Sequence, residues 1–366
     1  MAKHSAANTR IKREYFQYLR EARRCGIASV DAAAKAISRF EDAIGHRDFK
    51  RFHREQAVAF KRKLGEQRND RTGKPLSKST IDGTLRALRE FFVWLAGQPG
   101  YKSQLHYADA DYFNLSEKET AIARAKRPKA VPTPAQVHHV LASLPNGSAI
   151  EKRNRALIAF ALLTGARDGA LASFRLKHVD LVQGRVTQDG REVRTKFAKT
   201  FTTWFFPVGG DALAIVADWI GYLECDQFWS ADDPLFPATE IGLGDEGGFV
   251  AAGLSRRGWS TAAPIRTIFR EAFAAAGLPY FNPHSFRDML AQFGERACRT
   301  PEEFKAWSQN LGHAHVLTTL TSYGTVPDHR QAELIRGLGE AGDMTDPLDD
   351  PKVRAVLARL LERQPA

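Results

Sequence analysis

Between Tyr15 and Leu95 the apolar residues recur three and four positions apart, the spacing of helices with one buried face. Tyr15, Phe16, Tyr18 and Leu19 open a first amphipathic stretch. Residues 30–44 predict a second helix ended near Gly45, and residues 53–66 a third carrying Val58, Phe60 and Leu64. The clearest helix runs from about 79 to 96. There Ile81, Leu85, Leu88, Phe91, Phe92 and Leu95 keep helical spacing, and Gly97 stands where a C-terminal stop belongs. Between the last two helices, residues 69–75 have the composition of an exposed loop. Residues 1–9 carry no such pattern and are expected to form a disordered start. Residues 10–124 therefore predict a small helical bundle with its basic residues outward.

The pattern breaks at residues 125–132, a short basic linker that contains Pro128. Thr133 then suits an N-cap, Pro134 the first helical position, and Gln136 the far side of a capping box, so a second domain is expected over residues 133–340. From Ala156 to Leu163 every residue is apolar, which predicts a core helix buried on all sides. Leu171, Phe174 and Leu176 predict a second helix after it. Val186, Val193, Phe201, Trp204, Phe205, Phe206 and Val208 lie among short polar turns and predict a small antiparallel sheet, with Lys196 and Lys199 near a turn. Residues 211–223, 264–276, 284–298 and 301–310 read as helices, and the Gly-, Asp- and Pro-rich residues 230–260 as a long loop. The Gly-rich run at 242–248 lacks the Gly-Lys-Ser/Thr ending of a phosphate-binding loop. Residues 341–366 form a tail whose last helix carries Val353, Val356, Leu357, Leu360 and Leu361. The expected fold class is mostly α with a small antiparallel β-sheet.

Charge changes this picture from architecture to partner. The net charge is +11, but residues 1–130 hold 28 Lys and Arg against 15 Asp and Glu, while residues 131–366 hold 25 against 27. A basic module joined to a nearly neutral one suits a polyanion gripped by the first and processed by the second. Cys25, Cys225 and Cys298 are far apart and form no CxxC pair, which argues against a disulfide framework or a structural zinc site and fits a reducing cytoplasm. No apolar run reaches the length of a membrane span, and the N-terminus lacks the apolar core of a secretory signal.

The chemistry-bearing residues come late. Arg167 follows the buried helix at a Thr-Gly break; Lys199 sits in the β region; His284 and Arg287 are one helical turn apart; His313 follows Leu311-Gly312; Tyr323 closes the series. Cutting a phosphodiester without metal requires cations for the non-bridging oxygens, a nucleophile in line, and a proton for the leaving oxygen. Arginines serve as the clamp. Tyr323 is the nucleophile, His284 and His313 accept a proton or donate hydrogen bonds to phosphate, and Lys199 protonates the departing 5′ oxygen. His313 and His315 lack nearby acidic or cysteine partners, so no metal is expected.

In this combination the chain resembles the tyrosine recombinase family, the phage-integrase type, over nearly its whole length. The family's Arg, β-hairpin Lys, His-x-x-Arg, second His and Tyr fall on Arg167, Lys199, His284, Arg287, His313 and Tyr323. Three departures stand out. Ala170 occupies a position where the family often has Glu, Tyr323 lies ten residues after His313, one more than is common, and Lys196 competes with Lys199. The resemblance implies a helical DNA-binding domain and a mixed α/β integrase-type catalytic domain. It also implies a site-specific recombinase that cuts and rejoins double-stranded DNA through a covalent 3′-phosphotyrosine, with no cofactor and no ATP. It further implies a homotetramer on DNA, with the C-terminal tail packed on its own subunit or exchanged with a neighbour, and a cytoplasmic, nucleoid-associated location. A topoisomerase-like nicking and rejoining enzyme shares this chemistry, and a non-catalytic DNA-binding regulator is the remaining alternative.

Overall fold

The computed structural model describes residues 5–69, 72–125, 130–244 and 247–313, and the chain divides into two compact units, residues 1–126 and 127–366. Each has its own apolar core.

The first unit holds helices α1 (Ala6–Glu21), α2 (Ile27–Ala43), α3 (Arg54–Glu66), α4 (Lys78–Ala96) and α5 (Glu117–Arg124). Ser5, Ser77 and Ser116 cap three of them by accepting a backbone N–H. Phe40 centres the core, with Phe60, Phe92 and Phe113 set edge-on at 5.3, 5.5 and 5.2 Å. Two expectations are corrected. Helix α1 begins at Ala6, inside the stretch read as a disordered start. Its polar residue Asn8 is fully buried, donating to Glu41 and to the Arg47 carbonyl and accepting from the Phe49 N–H. A satisfied buried amide leaves no apolar signal to read. Val58, expected inward, faces solvent instead.

The second unit begins as its capping box predicts. Thr133 accepts from the Gln136 N–H at 3.1 Å and Gln136 returns the bond at 2.9 Å, which starts α6 (Pro134–Ser143). Helix α7 (Ala149–Thr164) is the core helix, with Ala156–Thr164 all buried and α6 against it. A one-turn helix α8 (Asp168–Leu171) follows; the longer helix expected through Leu176 is absent, and Leu176 opens a 3-10 turn instead. Strands β1 (Val179–Asp180), β2 (Arg185–Gln188) and β3 (Phe201–Trp204) form the expected antiparallel sheet in sequential order, with Gln188 paired to Phe201 at the mouth of the β2–β3 loop. Helix α9 (Ala212–Gly221) packs on α7.

Residues 230–260 are the main correction, because most of this stretch is an antiparallel hairpin of β4 (Pro237–Leu243) and β5 (Phe249–Gly258). Its outer end is exposed on both faces, so the alternation that marks a half-buried strand is missing. Helices α10 (Ala263–Ala275), α11 (Pro283–Ala297) and α12 (Pro301–Asn310) complete the described residues. Among these residues no helix is long and apolar enough to cross a membrane. Tyr323 and the C-terminal tail lie outside the described residues.

Candidate active site

Helix α7 ends at Gly165, which takes a left-handed φ of 56° and donates its N–H to Ala161 at 2.9 Å. A side chain there would be strained by that φ and would press a Cβ to 2.9 Å from Leu290 and 3.2 Å from Leu311. Thr164 seals the turn by donating to Phe160 and accepting from the Ala166 N–H. The chain then leaves the core in extended form, and half-buried Arg167 caps α8. The neighbouring carboxylate is committed elsewhere: Asp168 accepts from Arg266 at 2.8 and 2.5 Å and from the Gly169 N–H. Ala170 is buried in the apolar core.

Helix α11 starts on an Asn282 cap with Pro283 in its first turn. Although His284 and Arg287 are one turn apart, their environments differ. The His284 side chain is 63% exposed, with Nε2 3.9 Å from Asp288. Arg287 is only 2% exposed. Its guanidinium donates to the Gly165 carbonyl at 2.6 Å, to the Leu311 carbonyl, and to His313 Nε2 at 3.3 Å. One side chain thus ties together the end of α7, α11 and the end of α12.

The Leu311-Gly312-His313 motif is a helix stop. Gly312 has a φ of 70° and donates to Gln309, and the His313 N–H reaches back to Ser308 at 3.2 Å, the paired bonds of a Schellman cap. Phe201 of β3 covers Gly312 so closely that a Cβ there would lie 2.6 Å from its ring. The cap fixes where His313 emerges. Burial pushes the His313 pKa down to about 4, reinforced in order by the positive charges of Arg287, Arg167, His284 and Lys199. The ring is therefore neutral at pH 7. Because a guanidinium only donates, Nε2 accepts from Arg287 and the ring proton sits on Nδ1.

The electrostatic surroundings of His313 thus include four other sequence-predicted residues, Arg287, Arg167, His284 and Lys199, which together outline a candidate anion pocket. Lys199 is the lysine among these charges. Such a pocket suits an anion with several oxygens. Tyr323, the sixth residue, lies outside the described residues, and His315 does as well.

A positioning residue escaped the sequence reading. Asn310, the last residue of α12, pairs its side-chain amide with the Trp204 backbone, accepting from the N–H at 2.7 Å and donating to the carbonyl at 2.8 Å. Thr203 donates to the Asn310 carbonyl at 3.0 Å. An amide imitating a strand thus locks β3, and the loop that carries Lys199, to the helix that ends just before His313. Nothing local distinguishes such an Asn from an ordinary helix end.

The chain is similar to known proteins over the same region. Residues 131–329 match the model of the phage integrase family. Tyrosine recombinase XerC of Escherichia coli O157:H7 (strain EC4115 / EHEC) is 24% identical over 250 residues, covering 67% of this chain and 70% of XerC. Among solved structures, a lambda integrase dimer bound to a COC′ core site gives a TM-score of 0.58 at 14% identity, covering 89% of this chain and 80% of that one. The XerH recombinase bound to palindromic difH substrate, a post-cleavage complex, gives 0.56 at 16% identity over 88% and 83% of the two chains.

Proposed function

The chain belongs to the phage integrase family, and from that premise we propose that the cationic pocket around His313 holds the scissile phosphate of DNA while Tyr323 attacks it. The protein is a tyrosine-type site-specific recombinase. The observation that carries this proposal is a half-buried, neutral imidazole held by the Arg287 guanidinium, with Arg167, His284 and Lys199 from the same and two other stretches of chain also disfavouring its protonation.

Each residue has a task set by its environment. Arg167, half-buried beside a fixed turn, offers a planar fork to the non-bridging oxygens. Arg287 adds charge from below and holds His313, whose Nδ1–H donates to a non-bridging oxygen. The unprotonated nitrogen of His313 faces Arg287, so the phenol proton goes to exposed His284. Attack forms the Tyr323 Oη–P bond and breaks the P–O5′ bond, and Lys199 protonates the departing oxygen. Return attack by a 5′ hydroxyl reverses both changes, so the phosphoester is conserved and no nucleotide cofactor is consumed. Recombination requires paired cuts, and we propose a tetramer on double-stranded DNA in which two subunits cut at a time.

Tyr323→Phe should bind DNA with near-normal affinity and form no SDS-stable DNA–protein adduct, whereas the wild type should form one that maps to discrete genomic positions. An adduct from the variant would show that another residue is the nucleophile.

A further inference from the structure

The β2–β3 loop carries more than a lysine. Its 3-10 turn, Lys196–Ala198, holds Phe197 and Ala198 at φ of 62° and 49°, in the left-handed region. For residues other than Gly, Asn or Asp that conformation is sterically disfavoured. Strain of this kind persists only when the surroundings impose it, and it gathers at functional positions. The surroundings here do impose it. Thr195 Oγ1 donates to the Lys199 carbonyl at 2.8 Å and the Gly190 N–H donates to Thr200 Oγ1 at 3.0 Å. Gly190 lies so close beneath that a Cβ on it would sit 2.1 Å from the Ala198 oxygen. The strain does not serve the core, because the Phe197 side chain is directed outward and the residue is 81% exposed.

The flanking residues indicate what the ring meets. The Lys196 ammonium lies 5.0 Å from the Phe197 ring centre, and Lys199 follows the turn. Among the described residues neither lysine is in an ion pair. A rigid turn that presents ammonium, aromatic and ammonium within four residues matches a nucleobase face between backbone phosphates. Phe201, two residues after Lys199, lies against Gly312, which places this turn beside His313 and the proposed phosphate site.

We propose that Phe197 is a base-contacting wedge, its ring stacking on a nucleobase next to the scissile phosphate while Lys196 neutralises the adjoining backbone phosphate. This rests on the reading of the pocket as a DNA-cleavage site, and the test separates the two. On the DNA to which wild-type protein becomes covalently attached, affinities of Tyr323→Phe and of Tyr323→Phe/Phe197→Ala are compared, with the base flanking the cut either present or replaced by an abasic position. Stacking on a base predicts that Phe197→Ala weakens binding about tenfold on intact DNA and by much less on the abasic duplex. Equal loss on both duplexes, or no loss, overturns the wedge while leaving catalysis standing. Absence of any wild-type adduct overturns the cleavage reading and the wedge with it. Phe197→Gly should melt no lower than wild type, since it relieves a left-handed residue and removes an exposed ring. A melting point several degrees lower, or an altered oligomeric state with unchanged base dependence, would instead assign the ring to the fold or to a second copy of the chain.

Discussion

His313 separates two roles that histidines of this kind share in a sequence. Held at about 4 by burial first and by neighbouring charge, Arg287 foremost, it stays neutral through the range where an ordinary histidine titrates. Its folded pKa lies below its unfolded one, so the unfolded state binds the extra proton first and stability falls as pH drops from about 6.5 towards 4. The thermal midpoint of the wild type should therefore decline over that window more steeply than that of His313→Gln, and equal slopes would refute the assignment. The same ring should contribute no acid limb near pH 6.5 to the cleavage rate. The sequence showed that two histidines and two arginines stood ready. It did not show that Arg287 would be buried and His284 exposed, because helical spacing places residues on a face without revealing which neighbours will cover it.

At the scale of elements, legibility follows the range of the interactions. The Thr133–Gln136 box and the apolar run of α7 are written within a few residues, and both were readable. The β4–β5 hairpin was not, since Leu243 and Phe249 project into solvent and glycines interrupt the strands. Helix α1 was readable only from Arg10 on, because Asn8 earns its burial from Glu41, Arg47 and Phe49 in another part of the chain. Asn310 is the extreme case, joined to a strand 106 residues away. If it positions Lys199 through β3, Asn310→Ala should slow cleavage about 10- to 100-fold with DNA affinity nearly unchanged. A substrate with a 5′-bridging sulfur, whose departing thiolate needs no proton, should restore the rate in Asn310→Ala as in Lys199→Ala. Failure of that rescue would reduce Asn310 to a stabilising contact.

At the scale of the whole molecule, the excess positive charge belongs to residues 1–130, and the second part of the chain is nearly neutral. Affinity for DNA should then be dominated by counterion release, and doubling the salt from about 0.1 M should weaken binding at least about tenfold. A flat response in a titration of the full chain would remove that role from the basic surface. The three bonds of Arg287 have a consequence of another kind. Its two carbonyl partners lie 122 and 24 residues distant along the chain, so the guanidinium reaches its place only when α7, α11 and the end of α12 have met. A nascent, truncated or partly melted copy therefore lacks this set of bonds. On the role proposed for Arg287, competence to cut DNA is deferred until folding is complete.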